Sequence, residues 1–255
     1  MERKSIEINS DMGESFGNYV VGRPEEVLKR INHAIVACGF HAGDPTVMRQ
    51  TVEWCKKYNV VLGAHPGFRD LQGFGRRYMN YTPEEATNDI IYQIGALKNF
   101  AEQAGIKIRT AKPHGAFAIW AMESEEHAKA VLDGLKTIGP DFALVFPTVP
   151  KCLLPEMAEA QGIRVIREIY PGLNVGAEKG YGLSRKYVAD PVVETQIVVK
   201  FLKTGKIDTV EGKEIKVDAQ SVCIHGDMPN APEVIDAIKK GVEAAGFKIR
   251  PATED

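Results

Sequence analysis

Ala34-Ile35-Val36-Ala37-Cys38-Gly39-Phe40-His41-Ala42-Gly43-Asp44-Pro45 carries the pattern that decides the fold. Apolar residues of strand character run into a glycine-containing turn, and a histidine and an aspartate stand in that turn. A proline then opens an amphipathic stretch reaching Tyr58. Proline suits a first helical turn, where its missing N–H has no partner to lose. The same order recurs outward in both directions. Strand-like runs lie at Ser5–Asn9, Ala34–Cys38, Val60–Ala64, Arg109–Lys112, Phe142–Phe146, Arg164–Glu168 and Ser221–His225, with a last short one at Phe247–Arg250. Helix-like stretches fill the gaps at Pro45–Tyr58, Pro83–Ala104, Glu125–Ile138, Pro150–Gln161, Pro191–Thr204 and Pro232–Ala245, and Gly105 and Gly162 supply C-caps. Seven or eight strands alternating with helices predict a parallel sheet with right-handed crossovers. The count fits a closed α/β barrel, one domain over residues 1–255, better than an open doubly wound sheet.

Composition narrows the function. With 32 basic and 34 acidic side chains the net charge is −2, which gives no electrostatic case for nucleic acid or an acidic membrane. No apolar run approaches a membrane span, and the amino terminus lacks an apolar signal core, so a cytoplasmic location is expected. Cys38, Cys55, Cys152 and Cys223 have no paired spacing and read as buried, reduced thiols. Tyr170–Val188, rich in glycine and polar residues, reads as a long loop over the active-site end that could act as a lid.

Polar residues gather where the strands end. Asn9 and Asp11 follow the first strand, His41 and Asp44 the second, His65 the third and His114 the fourth. Glu168 closes the sixth, and His225 with Asp227 ends the seventh. Parallel barrel strands deliver their carboxyl ends to one rim, where such enzymes keep their chemistry. Four of the six histidines therefore point to one shared site, while His33 and His127 fall in flanking or helical segments. Imidazoles serve general acid–base work and bind metals. Asp11, His41, His65 and His114 are the candidate set for a divalent metal ion, and hydrogen-bonded His/Asp pairs without metal are the alternative. Gly73-Phe74-Gly75-Arg76-Arg77 offers an anion clamp, and Lys112 stands ready to meet developing negative charge. The sequence contains no P-loop.

Several runs together resemble the LamB/YcsF family: residues 9–17 (NSDMGESFG), 37–45 (ACGFHAGDP), 63–67 (GAHPG), 73–77 (GFGRR), 92–97 (YQIGAL), 112–116 (KPHGA) and 223–227 (CIHGD). The likeness extends from about residue 5 to residue 246. It implies a single-domain barrel of the glycoside hydrolase/deacetylase type and an ATP-dependent 5-oxoprolinase activity, exerted with subunits B and C; self-association is left open. On that reading Asp11, His41, His65, His114 and His225 are catalytic candidates. Asn9, Asp44, Arg76, Lys112, Glu168 and Asp227 are candidates for holding substrate or phosphate. An unactivated lactam is a poor electrophile, and phosphate from ATP on its amide oxygen would prepare it for water.

The sequence also departs from the family pattern. Glu168-Ile169-Tyr170-Pro171-Gly172-Leu173 stands where family members usually carry Glu-Val-Phe-Ala-Asp-Arg, so an acid–arginine pair is absent. Ile35 replaces a usual asparagine, and Ala118-Ile119 a usual Tyr-Asn. An arginine that pairs with a substrate carboxylate is hard to replace with leucine. The departures raise two alternatives: a divergent metal-dependent hydrolase of another small cyclic amide, or a non-catalytic binding protein within the same complex.

Overall fold

The computed structural model describes residues 4–148, 152–171, 173–176, 180–185, 188–209 and 211–254, with backbone alone between 173 and 185. In chain order come β1 (Ser5–Met12), α1 (Pro24–Leu28), β2 (His33–Ala37), α2 (Pro45–Tyr58), β3 (Val61–His65) and α3 (Pro83–Ala104). Then follow β4 (Ile108–Ala111), α4 (Gly115–Trp120), α5 (Glu125–Leu135), β5 (Ala143–Pro147), α6 (Leu153–Ala160) and β6 (Arg164–Ile169). Next are β7 (Leu173–Gly176), β8 (Gly180–Arg185), α7 (Pro191–Thr204), β9 (Lys206–Asp208) and β10 (Glu214–Lys216). The last elements are β11 (Ser221–Cys223), α8 (Ala231–Ala244) and β12 (Lys248–Ile249).

Strands β1 to β6 and β11 pair in parallel in that order, and β11 returns to β1, with Glu7 opposite Ser221 and Asn9 opposite Cys223. The sheet is therefore a closed seven-stave barrel, as the alternation predicts. The run near Phe247 does not add an eighth stave. As β12 it pairs only with the first residues of β1, Ser5 and Ile6, below the point where β11 joins.

Local chemistry explains the helix ends. Asp44 caps α2 by accepting from the Val47 N–H, and Pro45 follows it. Thr82 and Glu85 form a capping box at the start of α3, and Gly105 ends it at φ 75°. Each helix turns an apolar stripe toward the barrel: Val52 and Cys55 from α2, Ile90, Ile94 and Leu97 from α3, and Val234, Ile235 and Ile238 from α8 are all buried. They cover the outward strand residues Ile6, Ile8, Ala34, Val36, Leu62 and Leu144. Among the described residues no helix is long and apolar enough to cross a membrane. All four cysteines are buried and free.

One expectation needs correction. The segment after β6 is not a plain loop, because β7 and β8 form an antiparallel hairpin with Val175 opposite Tyr181. Leu173 and Val175 alternate with a polar residue, a period-two signal that the surrounding glycines obscure. A second small hairpin, β9 with β10, precedes β11. The predicted start of the sixth helix at Pro150 lies outside the described residues, as does part of the segment from Tyr170 to Val188.

Part of the barrel interior is polar. Near its floor His33 Nδ1 lies 3.0 Å from Glu7, and His33 Nε2 lies 2.6 Å from the Thr110 hydroxyl. Ser221 donates to Glu7 at 2.7 Å, and the Ala252 N–H donates to the same carboxylate at 2.8 Å. Ala252 packs with Ile35, Ala143, Val145 and Ile166, so the end of the chain closes the floor. Gly63 leaves the space this network needs: a Cβ there would lie 2.3 Å from Thr110 Oγ1 and 2.9 Å from His33 Nε2. Gly63→Ala is expected to cost about 1–3 kcal/mol through overpacking. At roughly 2–4 °C per kcal/mol for a chain of this size, thermal unfolding by circular dichroism reads the loss. An unchanged Tm would show that the interior can yield.

Candidate functional site

Seven parallel staves bring distant residues to one rim. Asp11 lies near the carboxyl end of β1 and Glu14 just beyond it, while His41 stands in the β2–α2 connection. His65 ends β3, and His114 is the N-cap residue of α4. His225 follows β11. Asp11, His41, His65 and His114 are all nearly or fully buried, and Glu14 is buried with them.

The three histidines from neighbouring staves touch. The His41 and His114 rings stack at 3.8 Å, and His65 meets both edge-on. Two glycines permit this crowding. A Cβ at Gly67 would lie 2.6 Å from His41 Nδ1, and one at Gly75 would lie 2.6 Å from His41 Cβ and 2.7 Å from His114 Cδ2. Gly75 sits at φ 62°, and the preceding Phe74 is held at φ 56°, a costly conformation for an aromatic residue. That backbone turn aims the Phe74 carbonyl at His114 Nε2, 2.8 Å away.

Tautomers follow from these partners. His65 Nδ1 donates to the Lys112 carbonyl at 2.6 Å, and His114 Nε2 donates to Phe74, because a carbonyl can only accept. Each ring turns its other nitrogen inward, and these two nitrogens, His65 Nε2 and His114 Nδ1, lie 2.9 Å apart, with His65 Nε2 also 3.6 Å from Asp11 Oδ2. Neither nitrogen of His41 has a hydrogen-bond partner, and neither has Glu14 Oε1. A buried polar atom left so costs about 1–3 kcal/mol. Burial, and then the neighbouring imidazoles, hold His41 and His114 well below the usual histidine range. Burial, and then the charge of Asp11, push the Glu14 carboxyl up to about 8. One atom from each of Glu14, His41, His65 and His114 lies within 4.8 Å of the others, a grouping able to hold a metal ion.

Beside this cluster lies an ionic one. Lys112 Nζ is 2.5 Å from Asp11 Oδ1, 3.3 Å from Glu168 and 3.5 Å from Cys223 Sγ. Burial by itself would raise the Asp11 carboxyl, but Lys112, His65 and His225 hold it well below its usual value. Burial would lower the Lys112 ammonium, yet Asp11, Cys223 and Glu168 keep it well above. Lys112 is thus engaged on all sides, and the open anion contact expected of it is not what the structure provides. Glu168 also accepts from the Tyr170 hydroxyl, and from Asn9 at 2.7 Å. Tyr170 in turn stacks on His225 at 5.4 Å. His225 Nδ1 lies 3.6 Å from Asp11 Oδ2, its Nε2 has no partner, and its side chain is 15% exposed. Burial lowers this imidazole to about 4, against the pull of Asp11, so it is neutral at neutral pH.

Other expected residues stand apart. The Asp44 carboxylate accepts from the Val47 and Gly17 N–H groups, so it caps a helix and ties down the β1–α1 connection. Arg77 pairs with Asp70, leaving Arg76 as the clamp's available cation. Arg76 is half-buried over the Phe74 ring, with no carboxylate within ion-pair distance among the described residues. Asn9 braces Glu168 and Ser221 from below, and Asp227 lies in the turn beyond His225, close to Gly22. Glu14 and Tyr170 belong to the site although sequence reasoning does not single them out. For Glu14 a signal exists, since it lies three residues past Asp11 in the same glycine-bearing turn.

A model of the LamB/YcsF family matches residues 6–255. The chain belongs to the LamB/YcsF family. Its LamB/YcsF relatives include a protein of Pyrococcus horikoshii named as the A subunit of 5-oxoprolinase, 40% identical over 98% of both chains. One of Pyrococcus furiosus with the same name is 41% identical over 96% of this chain and 97% of its own. A solved structure, the lactam utilization protein of Thermus thermophilus, superimposes with a TM-score of 0.86 at 35% identity, covering 96% of this chain and 99% of that one. The LamB/YcsF motifs at residues 37–45, 63–67, 112–116 and 223–227 are those that supply His41, His65, His114 and His225 to the rim.

Proposed function

We propose that the chain is the A component of an ATP-dependent 5-oxoprolinase, which opens the lactam of 5-oxo-L-proline to L-glutamate in concert with subunits B and C. The observation that carries this reading is the end-to-end likeness, at about 40% identity, to proteins bearing that name. ATP is assigned to the assembled enzyme, and a divalent metal in the histidine cluster is the second proposed cofactor. Phosphoryl transfer to the amide oxygen releases ADP and makes the ring carbon electrophilic. Water then adds to that carbon, cleavage of the C–N bond frees the amine and leaves an acyl phosphate, and a second water hydrolyses this to glutamate and inorganic phosphate.

The residues of this chain suit such a site. His225, oriented through Nδ1 by Asp11, keeps a buried Nε2 without a partner in the protein, and this nitrogen takes the proton from water. Arg76 supplies the cation for the substrate carboxylate or phosphate, the role that an acid–arginine pair after β6 would otherwise fill. Tyr170 and Lys112 hold Glu168 and Asp11 in place.

Mixing the purified chain with subunits B and C should give ADP release that depends on 5-oxoproline, and no single component should show it. Hydrolysis of a cyclic amide by the isolated chain without ATP, abolished by a chelator, would instead establish the stand-alone hydrolase. Binding of 5-oxoproline without turnover in any mixture would leave a non-catalytic binding protein.

A further inference from the structure

We infer that Glu14, His41, His65 and His114 hold one divalent transition-metal ion of the zinc class, and that Lys112 keeps Asp11 out of the ligand set. This deepens the function proposed above, and its test reads metal rather than turnover, so either can fail alone.

Three independent features converge. His65 Nε2 and His114 Nδ1 face each other at 2.9 Å, close enough to share a single cation between them. Their outer nitrogens donate to the Lys112 and Phe74 carbonyls, which is how metal-binding imidazoles are ordinarily fixed from behind. His41, fully buried with both nitrogens bare, and Glu14, with Oε1 bare, bring the remaining ligands within 4.8 Å. Three imidazoles and one carboxylate select zinc, cobalt, nickel or iron over magnesium and calcium, which favour oxygen.

Geometry sets what must move. Tetrahedral zinc with bonds of about 2.0–2.1 Å separates its nitrogen ligands by roughly 3.3 Å. The 2.9 Å approach of His65 and His114 therefore opens by a few tenths of an ångström. His41 turns out of its parallel stack on His114 so that one in-plane lone pair converges with the others.

The sequence singles out Asp11 as the carboxylate ligand; its Oδ2 lies 3.6 Å from His65 Nε2, but the atoms that converge with the three imidazoles are those of Glu14. Asp11 Oδ1 lies 2.5 Å from an ammonium group, so a second cation there meets Lys112 first. For the same reason the neighbouring trio of Asp11, Cys223 and His225 does not make a second metal site: Lys112 Nζ already stands beside two of its members.

The experiment is elemental analysis of the full chain, followed by removal of metal with a chelator and titration with Co²⁺ under visible absorption. About one equivalent of metal per chain and a saturable cobalt spectrum are expected. Glu14→Gln, His65→Ala and His114→Ala should weaken cobalt binding beyond the roughly 10–100-fold that loss of an outer partner costs, whereas Asp11→Asn should stay within it. Should a variant fail to fold, the cobalt titration of the wild-type chain stands by itself. A folded wild-type chain that binds well under one equivalent, or Asp11→Asn weakening binding as much as Glu14→Gln, overturns the assignment. The first result would leave a proton shared by His65 and His114 as the bridging cation.

Discussion

Replacing His225 with asparagine is expected to lower the 5-oxoproline-dependent ATPase of the assembled enzyme by about 100-fold or more. Thermal unfolding of the chain should stay close to wild type. His225 is the rim histidine whose ring is partly open, and its Nε2 has no partner inside the protein. Asparagine fills part of the ring's place against Tyr170 and loses the nitrogen that accepts a proton. Steady-state rates with saturating ATP, beside a melting curve, separate the two effects. Near-normal turnover would remove His225 from the proton transfer, and a collapsed melting curve would make its role structural.

Lys112→Met should produce the largest loss of stability. The substitution leaves Asp11 and Glu168 facing each other in a dry interior with no cation between them. Breaking a buried pair in this way costs about 3–5 kcal/mol. Denaturant unfolding of the chain measures it. Adding Glu168→Gln to Lys112→Met removes one stranded charge, so the double variant should recover part of the loss instead of summing the two single costs. Strict additivity would mean that Lys112 and Glu168 do not act as a pair, despite their 3.3 Å separation.

Much of this architecture can be read from the chain. Helices α2, α3 and α7 begin and end where their prolines, caps and apolar stripes say they should. The barrel staves fall within a few residues of the apolar runs, and four histidines arrive at one rim because parallel strands leave no other place for them. What the sequence withholds is which polar groups pair. Asp11 and Glu14 are both acids after β1, and only the reach of Lys112 from β4 decides that Asp11 is neutralised while Glu14 stays with the imidazoles. Arg76 and Arg77 look alike until Asp70 pairs with the second. Asp44 looks like a site residue until the Val47 and Gly17 amides are seen on its carboxylate. Tyr170 lies in a stretch whose glycines suggest loop, yet it is buried against His225.

The joining of β1 to β11 has a consequence for how the molecule comes into being. Glu7 meets Ser221 across a separation of 214 residues, so β1 is synthesised long before its neighbour β11 exists. Until then, the growing protein carries an unsealed edge of backbone donors and acceptors, a surface on which other chains can pair. Maturation should therefore be slow for a protein of this length, and cells making it fast should lose more of it to aggregates than to faulty chemistry.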